Sequence, residues 1–178
     1  MTSFRVGLLG HGTVGAAFDA LLHERADAIE AGVGHRPELS GVLTRSRGDF
    51  DKILAASDLV VELIGGLEPA REYVLRALRA GKHVVTANKQ LVSQHGDELF
   101  AAAREAGIEL RFEAAVGGVV PVIRVMRETL AAAHLERVHG IVNGTTNFIL
   151  TEMTRTDSPP STRSAVPTSL SDSPSSRA

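Results

Sequence analysis

The 178-residue sequence predicts an α/β fold, a doubly wound parallel sheet followed by the start of an incomplete α+β domain. Three observations lead there. Short apolar runs at 4–9, 39–43, 58–64, 82–86 and 108–112 have the length of buried strands. Stretches of helical periodicity alternate with them. The connections between successive strands are too long for hairpins, so each strand must return to the sheet by a crossover.

The first element is the apolar run 4–9, which stops on Gly10. A helix is expected over about 13–29, with Val14, Ala17, Phe18, Leu21 and Leu22 as its inward stripe. Gly10, Gly12 and Gly15 therefore stand at the first, third and sixth positions of a strand–turn–helix junction. Gly10 permits the sharp turn, Gly12 lets the backbone approach a diphosphate, and Gly15 lets the helix close on the strand. The helix start adds free N–H groups and a positive dipole end. A G-x-G-x-x-G in this context points to a dinucleotide; a purely structural glycine turn is the alternative.

A polar loop with Gly32, Gly34 and Pro37 is expected next, then the strand 39–43, ended by Thr44-Arg45-Ser46-Arg47. An acid at this place suits a free ribose 2′-hydroxyl, whereas an arginine with a serine suits a 2′-phosphate. Arg45 is thus a candidate discriminator for NADP, with a solvated loop arginine as the alternative. A short helix is expected over 49–56 and the third strand over 58–64. Glu62 is unusual inside that apolar run, pointing toward either a loop or a subunit contact. Glu68-Pro69 opens a helix with Ala70, Tyr73, Val74, Ala77 and Leu78 inward and Gly81 as its stop. The fourth strand, 82–86, leads to Ala87-Asn88-Lys89. A helix over about 94–106 follows, with Leu99, Ala102, Ala103 and Ala106 inward, and then the fifth strand. The suggestive residues all fall at the carboxyl ends of strands, where such sheets bind ligands.

A glycine-interrupted turn over 113–121 feeds a helix with Val122, Val125, Met126, Thr129 and Leu130 on one side. A new strand is expected over 135–142 and a helix over 148–153, opening a second domain.

Composition narrows the function classes. Apolar residues make up 43% of the chain, enough for a core, but aromatics are only 4% and tryptophan is absent. A net charge of −2 argues against a nucleic-acid surface. No apolar run approaches the roughly 18 residues of a spanning helix and no signal-peptide layout opens the chain, so no membrane partner and a cytoplasmic location are expected. The chain has no cysteine, which excludes disulfides, thiolate metal sites and any cysteine nucleophile. His11, His83, His95, His134 and His139 lack metal-ligand spacing and read as structural or exposed.

Five segments in register, G-H-G-T-V-G at 10–15, E-L-I-G-G at 62–66, H-V-V-T-A-N-K at 83–89, F-E-A-A-V-G-G-V-V-P-V-I at 112–123 and G-I-V-N-G-T-T-N-F-I-L at 140–150, closely resemble homoserine dehydrogenases. The resemblance covers residues 4 to about 154 and implies interconversion of L-homoserine and L-aspartate 4-semialdehyde with NADP or NAD, a step toward threonine and methionine. It implies an NAD(P)-binding Rossmann domain over 1–132 and the beginning of a substrate domain over 133–154. By resemblance, Gly10, Gly12, Thr13, Val14 and Gly15 hold the diphosphate, and Thr86 and Lys89 lie near the nicotinamide, Lys89 close to the substrate as well. A salt-bridged surface lysine is the alternative for Lys89. The family also implies a monovalent-cation site, such as one for sodium, formed by the carboxylate of Glu113 and the carbonyls of Val116, Gly118 and Val120; a plain structural turn is the alternative. Family members are expected to be homodimers, through the substrate domain.

From Arg155 onward the composition changes: eight serines and four prolines make half of 155–178, which reads as a disordered tail. The resemblance places the acid–base lysine beyond Thr154, so no catalytic residue is assigned within the chain. A reading-frame shift or truncated product is expected, with a genuine tail as the alternative, and little or no turnover. The competing function is a non-catalytic NAD(P)-binding module, or a subunit completed by another chain.

Overall fold

The computed structural model describes residues 3–118, 120–141 and 144–156. Contacts divide the chain into two units, Met1–Ala133 and His134–Ala178. The first unit is built on a five-stranded sheet of β1 (Ser3–Leu9), β2 (Arg36–Leu43), β3 (Leu59–Glu62), β4 (His83–Thr86) and β5 (Leu110–Arg111). Their order is β2-β1-β3-β4-β5 and every pairing is parallel, the doubly wound sheet expected from the alternation. Four helices connect the strands: α1 (Thr13–Val33), α2 (Phe50–Ala56), α3 (Ala70–Arg79) and α4 (Lys89–Ala106).

Strand alternation sends Leu9, Val60 and Val84 to one face, where α2, α3 and α4 supply Ile53, Val74, Leu78, Leu91 and Leu99. Val6, Leu8 and Val61 point to the other face, against Phe18 and Leu22 of α1. Two glycines let α2 sit close on the sheet. A Cβ on Gly7 would lie 2.4 Å from Ser57 Oγ, and one on Gly41 would lie 2.7 Å from Ile53 Cγ1. Phe50 stacks on Tyr73 with ring centroids 4.3 Å apart, tying α2 to α3. Arg71 donates two hydrogen bonds to Glu98, tying α3 to α4.

Several boundaries differ from the sequence expectation. Helix α1 continues through Gly32 to Val33 and ends on Gly34, whose φ of 79° accommodates the left-handed cap. Pro37 lies inside β2, which is tolerated because β2 is a sheet edge. The inward stripe of α1 is also rotated. Gly15 and Ala26 are buried with Phe18 and Leu22 packed beside them, while Val14 and Leu21 are 60% and 53% exposed. The cause is Gly15: a Cβ there would lie 2.1 Å from the Gly10 carbonyl oxygen, so this contact fixes the helix's rotation. Residues one position away then lie about 100° off the buried face. Helix α4 begins at Lys89 rather than near residue 94, because Asn88 caps it, and Ala106 is exposed at its end.

Beyond β5 comes a 3-10 turn, Glu113–Ala115, then α5 (Val122–Arg124), which widens into a π-turn at Val125–Thr129. None of these last eight residues is fully buried and Val125 is 40% exposed, so the expected stripe does not form a closed interface. In the second unit the strand expected over 135–142 is absent at residues 135–141, which are irregular, and residue 142 lies outside the described residues. A strand needs a neighbour to satisfy its backbone groups, and no sheet partner reaches this stretch among the described residues. Helix α6 (Gly144–Thr156) starts before the expected residue 148 and takes in Arg155 and Thr156, the first two positions of the expected tail. Residues 157–178 of that tail lie outside the described residues.

Candidate coenzyme site

The turn joining β1 to α1 is built by its glycines. Gly10 has φ 97° and donates its N–H to the Leu43 carbonyl at 2.8 Å. A Cβ on Gly10 would lie 2.6 Å from the Leu63 backbone, and the Gly15 Cβ position is blocked by the Gly10 carbonyl. Gly12 is different: a Cβ there meets nothing within 4 Å. Gly12 is also the N-cap of α1, with no side chain capping it and no acid in the first turn. The first N–H groups of the helix, those of Thr13, Val14 and Gly15, thus face an open position that an anion can fill. His11 beside them is held by Asp19, 3.0 Å away, and does not occupy that position as a capping group.

Arg45 lies past the end of β2 in an exposed loop closed by Thr44 N–H donating to the Arg47 carbonyl at 2.7 Å. Neither Arg45 nor Arg47 makes a salt bridge among the described residues. On the other side of β1, the ends of β3 and β4 are joined by side chains. Register sets Leu9 opposite Glu62 and Glu62 opposite Thr86. Glu62 is completely buried, and it points toward the loop, not toward a subunit contact. Its Oε1 accepts the N–H groups of Ile64 at 2.8 Å and Gly65 at 3.2 Å. Its Oε2 accepts the Thr86 hydroxyl at 2.5 Å. Thr86 Oγ1 in turn accepts the Asn88 N–H at 3.0 Å, and Asn88 Nδ2 donates to the Gly66 carbonyl at 2.6 Å.

Thr86 is wholly buried, backbone included, and its hydroxyl is committed to Glu62 and Asn88, so no atom of it is exposed to a ligand. Gly65 and Gly66 have φ of 76° and 73° and open space at both Cβ positions, like Gly12. Lys89 is exposed as the first residue of α4 and makes no salt bridge among the described residues. The ring formed by Glu62, Thr86 and Asn88 was not assigned from the sequence. The available signal was an acid closing one apolar strand, level with a threonine closing the next, with an asparagine two residues later.

Glu113 accepts Ile123 N–H at Oε1, 3.0 Å, and Arg124 N–H at Oε2, 2.8 Å, so it caps α5. The Val120 carbonyl accepts Val122 N–H at 2.8 Å. Gly117 and Gly118 have φ of 72° and 64°, as a sharp turn requires. Each of the Glu113 oxygens and the Val120 oxygen keeps a second lone pair, which is compatible with a hard cation. Val119, in the middle of the turn, lies outside the described residues.

Fold and site together define a nucleotide-binding α/β domain of the Rossmann type. A family model described as the NAD-binding domain of homoserine dehydrogenase matches residues 10–113, and a second, described as homoserine dehydrogenase, matches residues 121–168. The chain belongs to the homoserine dehydrogenase family. It is 39% identical over 175 residues to the homoserine dehydrogenase of Bacillus subtilis, an alignment covering 89% of this chain and 40% of that protein. The structure of a homoserine dehydrogenase from Thiobacillus denitrificans superposes with a TM-score of 0.76 at 43% identity, over 89% of this chain and 40% of that one. A hyperthermophilic archaeal homoserine dehydrogenase in complex with NADPH superposes with a TM-score of 0.72 at 26% identity, over 87% of this chain and 57% of that one. The chain thus spans about two fifths of the length of the curated relatives it matches.

Proposed function

We propose that this chain is the coenzyme-binding part of a homoserine dehydrogenase and holds NADP(H) for the interconversion of L-homoserine and L-aspartate 4-semialdehyde. The observation that carries this reading is the contrast among three glycines: Gly10 and Gly15 are packed against backbone, while Gly12 stands open at an uncapped helix start. A phosphate there satisfies N–H groups that the chain itself leaves free. In this reading the diphosphate lies on the backbone of Gly10, Gly12, Thr13, Val14 and Gly15, and Arg45 forks onto the 2′-phosphate. The nicotinamide half extends over the ends of β3 and β4, beside Gly65 and Gly66 and near the buried Thr86. The nicotinamide ring exchanges a hydride with the carbon that carries the homoserine hydroxyl. Lys89 contributes a point charge near the substrate carboxylate, and Glu113 with the carbonyls of Val116, Gly118 and Val120 holds a monovalent cation that braces the turn after β5.

Calorimetric titration of the purified chain with NADPH and NADH tests this. Saturable one-to-one binding, tighter for NADPH, is the expected result. Gly12→Val is expected to abolish it with the melting temperature unchanged within about 2 °C, because the new side chain enters open space. Failure of the wild-type chain to bind either coenzyme refutes the reading.

A further inference from the structure

We infer that Glu62 is a positioning residue for the nicotinamide half of the coenzyme, an inference that rests on the NADP(H) reading above. Glu62, Thr86, Asn88 and the Gly65–Gly66 backbone form a closed ring of hydrogen bonds at the carboxyl ends of β3 and β4. A carboxyl group completely buried at a strand end is costly unless it is fully bonded. Hydrophobic packing would hold the two strands together without it, as Val60 and Val84 do two residues earlier.

What the ring does that packing does not is fix two pieces of backbone. On one side it fastens the Gly65 N–H and the Gly66 carbonyl, holding two consecutive left-handed glycines whose outer faces are open. On the other side it fastens Asn88, whose Oδ1 accepts Leu91 N–H at 3.1 Å and so starts α4 with Lys89 as its first residue. The β3 loop and the Lys89 turn are thereby locked to each other through one carboxyl group.

The sheet order tells which part of the coenzyme this affects. A dinucleotide crosses the sheet where strand order reverses, at β1. Arg45, at the end of β2, lies on the adenosine side. The ring, at the ends of β3 and β4, lies on the opposite side.

The chemistry of the ring dictates the variants. In Glu62→Gln the amide oxygen still accepts from Ile64 and Gly65, but the amide nitrogen now donates toward Thr86, whose hydroxyl proton loses its acceptor. Thr86→Val deletes both bonds of the hydroxyl, and Thr86→Ser keeps both. The experiment measures affinity for NADPH and for adenosine 2′,5′-bisphosphate, the adenosine-side fragment, with melting temperature as the control on folding. Glu62→Gln and Thr86→Val are expected to weaken NADPH binding about tenfold or more, to leave the fragment's affinity within about twofold, and Thr86→Ser is expected to restore wild-type behaviour. Should Glu62→Gln fail to fold, Asn88→Ala, which keeps the Glu62 bonds and releases Gly66, carries the same expectation. Equal losses for both ligands, or an unchanged NADPH affinity, overturn the inference while the coenzyme reading stands. A wild-type chain that binds neither ligand overturns both.

Discussion

Gly15 and Gly12 stand three residues apart and answer to different constraints. At Gly15 the missing side chain is required by the fold, since a Cβ would overlap the Gly10 carbonyl. Gly15→Ala is therefore expected to cost about 1–3 kcal/mol of stability in chemical denaturation, by forcing α1 away from the β1 turn. Gly12→Ala meets no atom and is expected to leave stability nearly unchanged while weakening NADPH. Away from the site, Asp58 contributes to stability against acid through its pairing with Arg5. The Arg5 guanidinium donates to Asp58 at 2.8 and 3.1 Å and the Arg5 backbone N–H at 2.9 Å. The Arg5 side-chain bonds, followed by the backbone bond, lower the Asp58 carboxyl from 3.8 to about 2. Because the folded value is the lower one, this contribution is present above about pH 4 and is lost as pH falls toward 2. Asp58→Asn should lower the melting temperature at pH 7 and make its decline between about pH 4 and 2 shallower than in the wild type, as read from melts across that range.

At the scale of elements, helix starts divide into capped and uncapped. Asp49 accepts the N–H groups of Asp51 and Lys52 to start α2, and Asn88 accepts Leu91 N–H to start α4. Helix α1 carries neither a side-chain cap nor an acid in its first turn, at the site the coenzyme is proposed to fill. Asp49→Ala is expected to cost about 1 kcal/mol, measurable by urea unfolding, with no change in NADPH affinity. Arg45, on the loop after β2, makes the converse case: Arg45→Ala should leave stability unchanged and reduce the preference for NADPH over NADH about tenfold or more, by removing a charge-assisted bond.

Element type was legible in the sequence wherever local signals sufficed. Gly81 and Gly107 end α3 and α4 with φ of 70° and 66°, as their placement after apolar stripes predicts. The rotation of α1 was only half legible: Phe18 and Leu22 of the expected stripe pack inward, while Val14 and Leu21 share its helical spacing and are exposed, and the Gly15–Gly10 contact decides between them. The partners of Glu62 were also hidden, since they depend on the register of β3 against β4 across a sequence separation of 24. Likewise Gly7 and Gly41 are ordinary strand residues until α2 is known to lie over them. The strand expected over 135–142 is absent at residues 135–141 for the complementary reason: a strand is a property of a pair.

On the scale of the whole molecule, the proposed site is composed of loops from one edge of one sheet, and the sheet order assigns each loop its half of the coenzyme. Among the described residues no helix is long and apolar enough to cross a membrane. The first unit carries an extensive core around β1, β3 and β4, with Leu8, Leu9, Val60 and Val84 completely buried. Exposed apolar side chains occur in both units, with Val14 and Leu21 on α1 and Phe148 and Leu150 on α6. Coenzyme binding at the Gly12 turn is best checked by an amide-resolved NMR titration of the chain with NADPH. Saturable shifts are expected at the amides of Gly12, Thr13, Val14 and Gly15, extending to Gly65 and Gly66. Shifts confined to the cleft around Phe100, Ile108 and Arg127, with the Gly12 turn unmoved, would contradict it.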